Sequence, residues 1–128
     1  MNEVYVLDAS AILCFMYSER GGDRVSELLE NAIVSSVNYA EVLTKMHDRG
    51  FSDSEFAAAL AEFRPPVIEF SQEQAFTAAA LRNVTRSKGL SLGDRACLAL
   101  AISRNAIAVT TDRAWNDFEN ITRVMLVR

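Results

Sequence analysis

The chain has 128 residues, half of them hydrophobic, with only five glycines and two prolines. This length and composition predict one globular domain over residues 1–128 and exclude a disordered chain. The formal net charge is −4, from 13 basic and 17 acidic residues, which does not exclude a polyanionic partner. No apolar stretch is as long as a membrane span, and the first residues lack the pattern of a secretory signal. We therefore expect a soluble cytoplasmic protein.

The first half of the chain alternates short apolar runs with helical patterns. Two adjacent glycines, Gly21 and Gly22, separate the first helical pattern from an amphipathic one. The predicted elements are a strand at Glu3 to Leu7, helices at Ala9 to Tyr17 and Asp23 to Asn31, a strand at Ala32 to Val34 and a helix at Val37 to Asp48.

The second half continues the alternation, and a serine opens each of its three helices. Each serine is followed three residues later by Glu, Gln or Asp, which is typical of a capping box. The predicted elements are a helix from Ser52 that ends before Pro65, a strand at Val67 to Phe70, a helix from Ser71 to Ser87, a helix at Leu92 to Arg104, and strands at Ala106 to Val109 and Arg123 to Val127.

Short apolar strands that alternate with helices predict an α/β fold with a mostly parallel sheet covered on both faces. In such folds, ligands bind beyond the carboxyl ends of the strands. Asp8 ends the first apolar run, and Asp112 follows the fourth strand after two threonines. The pattern therefore predicts a site at this edge of the sheet.

Four acidic residues are candidate ligands of a divalent cation, namely Asp8, Glu41, Asp94 and Asp112. Carboxylates beside a core repel one another and lose hydration, so they need a partner such as a cation. Each aspartate also has a simpler interpretation. Asp8 and Asp112 both precede helical segments that they could cap, and Asp94 forms a capping box with Ser91. The helix that Asp94 opens is nevertheless apolar nearly all round, which predicts that it is buried.

Glu41 fits the predicted site least well. The apolar stripe of its helix consists of Tyr39, Val42, Leu43 and Met46. Glu41 lies roughly opposite this stripe, as a solvent-exposed glutamate would. A role in the site requires Val37, Ala40 and Glu41 to face the domain while the stripe packs elsewhere, for instance at a dimer contact.

The residue types of the chain limit the reactions that the predicted site could catalyse. His47 is the only histidine, which excludes a two-histidine ribonuclease mechanism, and no glycine-rich phosphate loop occurs. Cys14 and Cys97 have no metal-binding spacing, so we interpret them as free buried thiols. Acids without histidine suit Mg²⁺ or Mn²⁺, which favour oxygen ligands and serve phosphoryl transfer well.

The order of these motifs resembles that of the PIN-domain ribonucleases, most closely the VapC-type toxins of bacterial and archaeal toxin–antitoxin pairs. The most specific segments read S-L-G-D-R-A-C-L-A-L-A and T-T-D-R-A-W. The segments that carry the resemblance are Val6 to Ser10, Asn38 to Val42, Leu90 to Ala101 and Val109 to Trp115. The resemblance covers nearly the whole chain. It implies a PIN-like three-layer α/β/α sandwich around a sheet of about five strands, usually dimeric, with a Mg²⁺ or Mn²⁺ site.

The resemblance also assigns roles to residues. It places the four acids at the family's catalytic, metal-binding positions and turns Glu41 into the site, although helical geometry argues against that direction. Ser10 and Thr110 are expected to be hydrogen-bond partners of the metal ligands. The family often has a further polar residue after the last aspartate, for which Asn116 and Asp117 are candidates.

Toxins of this family cut structured RNA, often tRNA or rRNA, and are inhibited by a cognate antitoxin. The expected partners are therefore RNA, an antitoxin protein and a second copy in a homodimer, without a membrane. Arg95 and Arg113 adjoin two of the acids and are candidates for contacts with RNA phosphates. A solvated helix face is the simpler interpretation of both arginines.

Four other interpretations can be compared with this one, and the first two fit the residues poorly. Haloacid-dehalogenase-type phosphatases need a second aspartate where this chain has Ser10, and response-regulator receivers need a late lysine after a strand, whereas Lys88 lies at a predicted helix end. A non-catalytic module that binds RNA or protein is a third alternative. A PIN nuclease of RNA maturation is a fourth.

Overall fold

An all-parallel, five-stranded sheet runs through the computed structural model, which describes residues 2–128. The strands are β1 (Tyr5–Leu7), β2 (Ala32–Ser35), β3 (Val67–Ile68), β4 (Ile107–Thr110) and β5 (Val124–Leu126). Their order in the sheet is β3-β2-β1-β4-β5, so β1 is central and pairs with β2 and β4. The predicted α/β class and strand number are confirmed.

Six α-helices within residues 2–128 connect the strands. They are α1 (Ala9–Met16), α2 (Gly22–Leu28), α3 (Ser36–Asp48), α4 (Asp53–Glu62), α5 (Gln72–Thr85) and α6 (Leu92–Arg104). Short 3₁₀ helices cover Leu29–Asn31, Arg86–Lys88 and Arg113–Phe118. The first two occupy the ends of the predicted second and fifth helices, where the α-helical bonding tightens. The predicted third strand, Val67 to Phe70, was too long, because the observed edge strand β3 pairs over two residues only.

The two faces of the sheet are covered by separate hydrophobic clusters. Val6 belongs to a cluster with Leu98 of α6 and Trp115, whereas its neighbour Leu7 belongs to one with Ile12 of α1 and Val42 of α3. Successive side chains of a strand point to opposite faces, which explains why two adjacent residues serve different cores. The result is the expected three-layer sandwich.

Helix α6 is the most buried helix of the domain. Every residue from Ala96 to Ala101 is buried. The helix begins at a capping box formed by Ser91 and Asp94 and ends at Asn105, which adopts the left-handed conformation. Because α6 packs against both α3 and α5, the N-terminus that carries Asp94 lies inside the assembly of helices.

The expectation that the apolar stripe of α3 packs outside the domain, at a dimer contact, is wrong. Val42 and Met46 are fully buried within this chain, and Ala40 is exposed. Helix α3 contacts both α1 and α6, so its buried face is wider than the stripe and includes Asn38. Glu41 lies one turn after Asn38, at the edge of that buried face.

Both cysteines are free and buried, as predicted. The Sγ atom of Cys14 donates to the Arg20 carbonyl at 2.9 Å. Burial raises the pKa of both thiols, so they are protonated at neutral pH. Within residues 2–128, none of the helices has the length and apolarity that crossing a membrane requires.

Candidate metal centre

Asp8 is a buried carboxylate at the carboxyl end of the central strand, with only 4% of its surface exposed. Its Oδ1 accepts hydrogen bonds from the Ala11 N–H at 2.8 Å and from Ser10 Oγ at 2.7 Å. Its Oδ2 accepts from Thr110 Oγ1 at 2.6 Å. Asp8 therefore caps α1, as the simpler interpretation predicted, and is also tied to the neighbouring strand β4.

Burial raises the pKa of Asp8 from 3.8 to about 6, against the opposing effect of hydrogen bonds from Thr110, Ser10 and Ala11. The negative charge of Asp94 adds to the increase. Three hydrogen bonds thus do not compensate for the lost hydration of this carboxylate. Positive charge near Asp8 would do so.

Thr110 links Asp8 to Asp112, the acid at the end of β4. Its hydroxyl donates to Asp8 and accepts a hydrogen bond from the Asp112 N–H at 3.0 Å. Asp112 itself is exposed and caps the 3₁₀ helix Arg113–Phe118, since its Oδ1 accepts from the Ala114 N–H at 3.0 Å. The side chain of Asp112 thus caps the 3₁₀ helix at the exposed end of β4, next to Thr110.

Asp94 lies at the third position of α6 and is half-buried. Its Oδ2 accepts from the Ser91 N–H at 3.0 Å, which completes the capping box. Capping uses one carboxylate oxygen. In the part of the chain that the structure describes, the other oxygen of Asp94 has no hydrogen bond, and neither has Oδ2 of Asp112. Capping and ligand binding are therefore compatible for both aspartates.

Glu41 turns toward the start of α6 and lies against Gly93. A Cβ atom added at Gly93 would come within 2.6 Å of the Glu41 Cδ atom, far inside van der Waals contact. Asn38 fixes this position, because its Nδ2 donates to Glu41 Oε1 at 3.0 Å and to the Gly93 carbonyl at 3.0 Å. Partial burial raises the pKa of Glu41, the bond from Asn38 opposes the shift, and the charge of Asp94 adds to it.

Asp94 lies within electrostatic reach of two of the other predicted acids. The charge of Asp94 acts on both Asp8 and Glu41. Burial raises the pKa of the Cys97 thiol well above its usual value, and the charges of Asp8, Asp94 and Glu41 all add to that effect. The negative charges of all three carboxylates therefore act on one thiol of α6. The fourth acid, Asp112, is connected to this group through the hydroxyl of Thr110.

The donors of this cluster suit a hard divalent cation. All are carboxylate oxygens, and Mg²⁺ is usually bound by one or two carboxylates while it keeps several waters. Within residues 2–128, no three histidine, cysteine or acidic side chains are already arranged to hold a metal ion. The residues therefore fit an ion that retains several of its waters better than one already enclosed by protein ligands.

Two of the outer candidates are occupied by contacts away from the cluster. Asp117 forms an exposed ion pair with Lys88, with 2.7 Å between Oδ2 and Nζ. Arg95 donates from Nη1 to the Ala78 carbonyl of α5 at 2.8 Å and is half-buried, so it joins α6 to α5. Arg113 is exposed beside Asp112.

Sequence reasoning missed Asn38 and Gly93. Both lie inside the motif segments that carry the family resemblance, but a single buried asparagine and a helical glycine have no distinctive spacing. Their contact joins residues 55 positions apart, so no local pattern could reveal it.

A PIN domain model matches residues 5–121, and the chain therefore belongs to the PIN-domain family. No curated protein sequence matches it. Solved structures share its fold. One is VapBC2 from Rickettsia felis, bound to a DNA fragment from its promoter, with 20% identity, a TM-score of 0.75, and coverage of 96% of this chain and 98% of that chain.

Two further structures extend the comparison. DNA-bound VapBC from Salmonella typhimurium has 18% identity and a TM-score of 0.76, over 99% of this chain and 100% of that chain. VapC20 from Mycobacterium tuberculosis, a toxin that cleaves the sarcin-ricin loop, has 14% identity and a TM-score of 0.70, over 89% of this chain and 94% of that chain. At these identities the likeness is one of fold.

Proposed function

We propose that the protein is a Mg²⁺- or Mn²⁺-dependent endoribonuclease and the toxin of a toxin–antitoxin pair, with structured RNA such as tRNA or rRNA as its substrate. The observation that carries this proposal is the grouping of acids at the carboxyl edge of the sheet. Thr110 joins Asp8 to Asp112 there, and Glu41 lies against Gly93, the residue before Asp94. Membership of the PIN-domain family supports the reaction class. Hydrolysis of a phosphodiester would leave a 5′-phosphate and a 3′-hydroxyl.

In this proposal Asp8, Asp94 and Asp112 are the principal metal ligands, and Glu41 completes the set or orients the attacking water. Mg²⁺ or Mn²⁺ bound there would activate water and offset the charge that grows on the phosphate. Asp112 would reach the cluster by turning about its own side-chain torsions, because its backbone is already held by Thr110.

The hydroxyls of Ser10 and Thr110 keep the Asp8 carboxylate in one orientation. Each donates to a different oxygen of Asp8, so the carboxylate group cannot rotate freely about its side-chain bond. Such partners typically contribute a factor of roughly 10 to 100 in metal affinity or activity. Asp117 is the weakest of the predicted supporting residues, since Lys88 already neutralises it on the surface.

Arg113 is our proposed contact for an RNA phosphate. It is exposed next to Asp112, and its guanidinium is suited to phosphate oxygens. Arg95 is a poorer candidate than the sequence indicated, because its guanidinium already donates to the Ala78 carbonyl.

The structural neighbours that are VapBC toxin–antitoxin complexes support a cognate antitoxin as a protein partner. We also propose a homodimer. The family resemblance supports this proposal, and Phe76 on α5, with 81% of its surface exposed, is the side chain at which we would test the contact.

The main test is cleavage of a structured RNA by purified protein with Mg²⁺ or with a chelator. We expect cleavage only with the metal. Asp8→Asn and Asp94→Asn should each reduce the rate roughly 100-fold or more, because they remove a ligand charge at the reacting centre. Asp53→Asn, the same change at an exposed acid in the first turn of α4, is the matched control.

Several outcomes would redirect the assignment. Wild-type cleavage by either variant would remove that residue from the mechanism, and tight RNA binding without cleavage would favour a non-catalytic module. Sequencing of 5′-phosphate ends after induced expression, with Asp8→Asn as the control, would identify the RNA that is cut. A neighbouring antitoxin gene would separate a toxin from a nuclease of RNA maturation.

A further inference from the structure

We infer that Asn38 and Gly93 form a seat for the Glu41 carboxylate, and that this seat brings the acid of α3 to the acid of α6. Both are positioning residues, because neither supplies a charge to the cluster. The geometry of the seat rests on hydrogen bonds and on the open space at Gly93. Its role in binding a metal ion rests on the proposed function.

The first part of the seat is the amide of Asn38. Asn38 is 1% exposed, and one nitrogen donates both to Glu41 Oε1 and to the Gly93 carbonyl, each at 3.0 Å. The same amide therefore bonds the side chain on its own helix and the backbone of the next. An aspartate of the same shape would lose both donated bonds and set a second negative charge against Glu41.

The second part is the absent side chain of Gly93. The Glu41 carboxylate fills the space where a Cβ atom would lie. Gly93 is buried at the second position of α6 and is not in a left-handed conformation, so the backbone alone would accept alanine. What alanine would displace is the end of the Glu41 side chain, which is flexible and can swing outward.

This position explains how a glutamate on the outer part of α3 reaches the cluster. Glu41 lies on the side of α3 that meets the N-terminus of α6, where it contacts Gly93, the residue before Asp94. Without the seat, Glu41 would extend into solvent, as its spacing along α3 predicts. Nothing else in the described residues donates a hydrogen bond to its carboxylate.

The first test is Mn²⁺ affinity, measured by isothermal titration calorimetry without RNA. Asn38→Ala and Gly93→Ala should each weaken binding roughly 10- to 100-fold, the usual effect of losing a partner that orients a ligand. Asn83→Ala, the same chemical change at an exposed position of α5, should leave the affinity unchanged. Wild-type affinity in folded Gly93→Ala would overturn the seat.

The second test needs neither metal nor activity. In a chelator, Asn38→Asp should lower the urea midpoint of unfolding, and Glu41→Gln should raise it more in the Asn38→Asp background than in the native chain. The reason is that a glutamine at position 41 relieves the repulsion and can donate to the carboxylate introduced at position 38, with the direction of the bond reversed. Equal effects in both backgrounds would refute the contact.

The two tests also separate this inference from the proposed function. If the native chain binds no Mn²⁺ and cuts no RNA, the nuclease proposal fails, and the unfolding cycle still decides whether residues 38 and 41 are coupled. Should Asn38→Asp not fold, Gly93→Ala decides the matter. It keeps both helices intact, and its circular dichroism spectrum should match that of the native chain.

Discussion

The ends of β1 and β4 carry the same residue type in the same local role, yet their environments differ sharply. Asp8 and Asp112 each follow a strand, and each caps the helical segment after it. Asp8 lies under α1 and is buried, whereas Asp112 begins a short 3₁₀ helix and is exposed. Position at a strand end therefore brings both acids to one edge, but the length and packing of the next helix decide which one loses its hydration.

The largest expected effect on stability is the pH dependence caused by Asp8. Its pKa rises from 3.8 to about 6 on folding, so between these values the folded chain holds a proton that the unfolded chain has released. Stability from this group is present below pH 4 and is lost as the pH rises through 6, by about 3 kcal/mol in total.

Urea unfolding between pH 4 and pH 7 in a chelator measures this effect. Because Asn does not ionise, Asp8→Asn should become steadily more stable relative to the native chain over that interval. A constant difference between Asp8→Asn and the native chain would mean that Asp8 is well hydrated.

A smaller effect is expected from the residue that joins the two strand ends. Thr110→Val keeps the shape of a fully buried side chain but removes the donor to Asp8 and the acceptor of the Asp112 N–H. We expect a loss of roughly 1–3 kcal/mol in unfolding free energy, as buried polar groups are left without partners. Thr111→Val, at a position with no side-chain hydrogen bond among residues 2–128, is the control; equal losses would show that Thr110 is not the link.

The smallest effect should come from Asp112 itself. Asp112→Ala removes one bond, from the Ala114 N–H to an exposed carboxylate, and should cost about 0.5–1 kcal/mol, as for other exposed caps. Asp112→Asn should recover most of that loss, because its side-chain oxygen can still cap. A loss several times larger, seen by thermal or urea unfolding, would contradict the contrast with Asp8.

Local sequence signals predicted the secondary structure closely. The bounds of α6 were predicted without error, because Ser91 caps its start and its C-terminal residue is followed by Asn105 in a left-handed conformation. The strands were located by apolar runs, with errors of one or two residues where pairing, rather than composition, sets the ends. The 3₁₀ helix after Asp112 was predicted only as a segment that this aspartate could cap.

The candidate site was predicted less evenly. Asp8 and Asp112 could be assigned to one edge from the strand pattern alone, and the apolar character of α6 indicated that Asp94 opens a buried helix. Glu41 could not be assigned in this way, and the family resemblance, rather than helical spacing, gave its direction. Arg95 was a candidate for an RNA contact on its position beside Asp94 alone, and its bond to the Ala78 carbonyl of α5 was not predictable from that position.

The sequence by itself determined where the helices and strands begin, which residues cap them, and that carboxylates follow two strands of a parallel sheet. These features depend on neighbours within a few residues, which a linear pattern records. Tertiary structure decided the burial of Asp8, the exposure of Asp112 and the direction of Glu41. Those features depend on how α3, α6 and the two strands pack. The lost hydration of Asp8, the interaction between the acids and the open space at Gly93 arise only when residues distant in sequence come into contact.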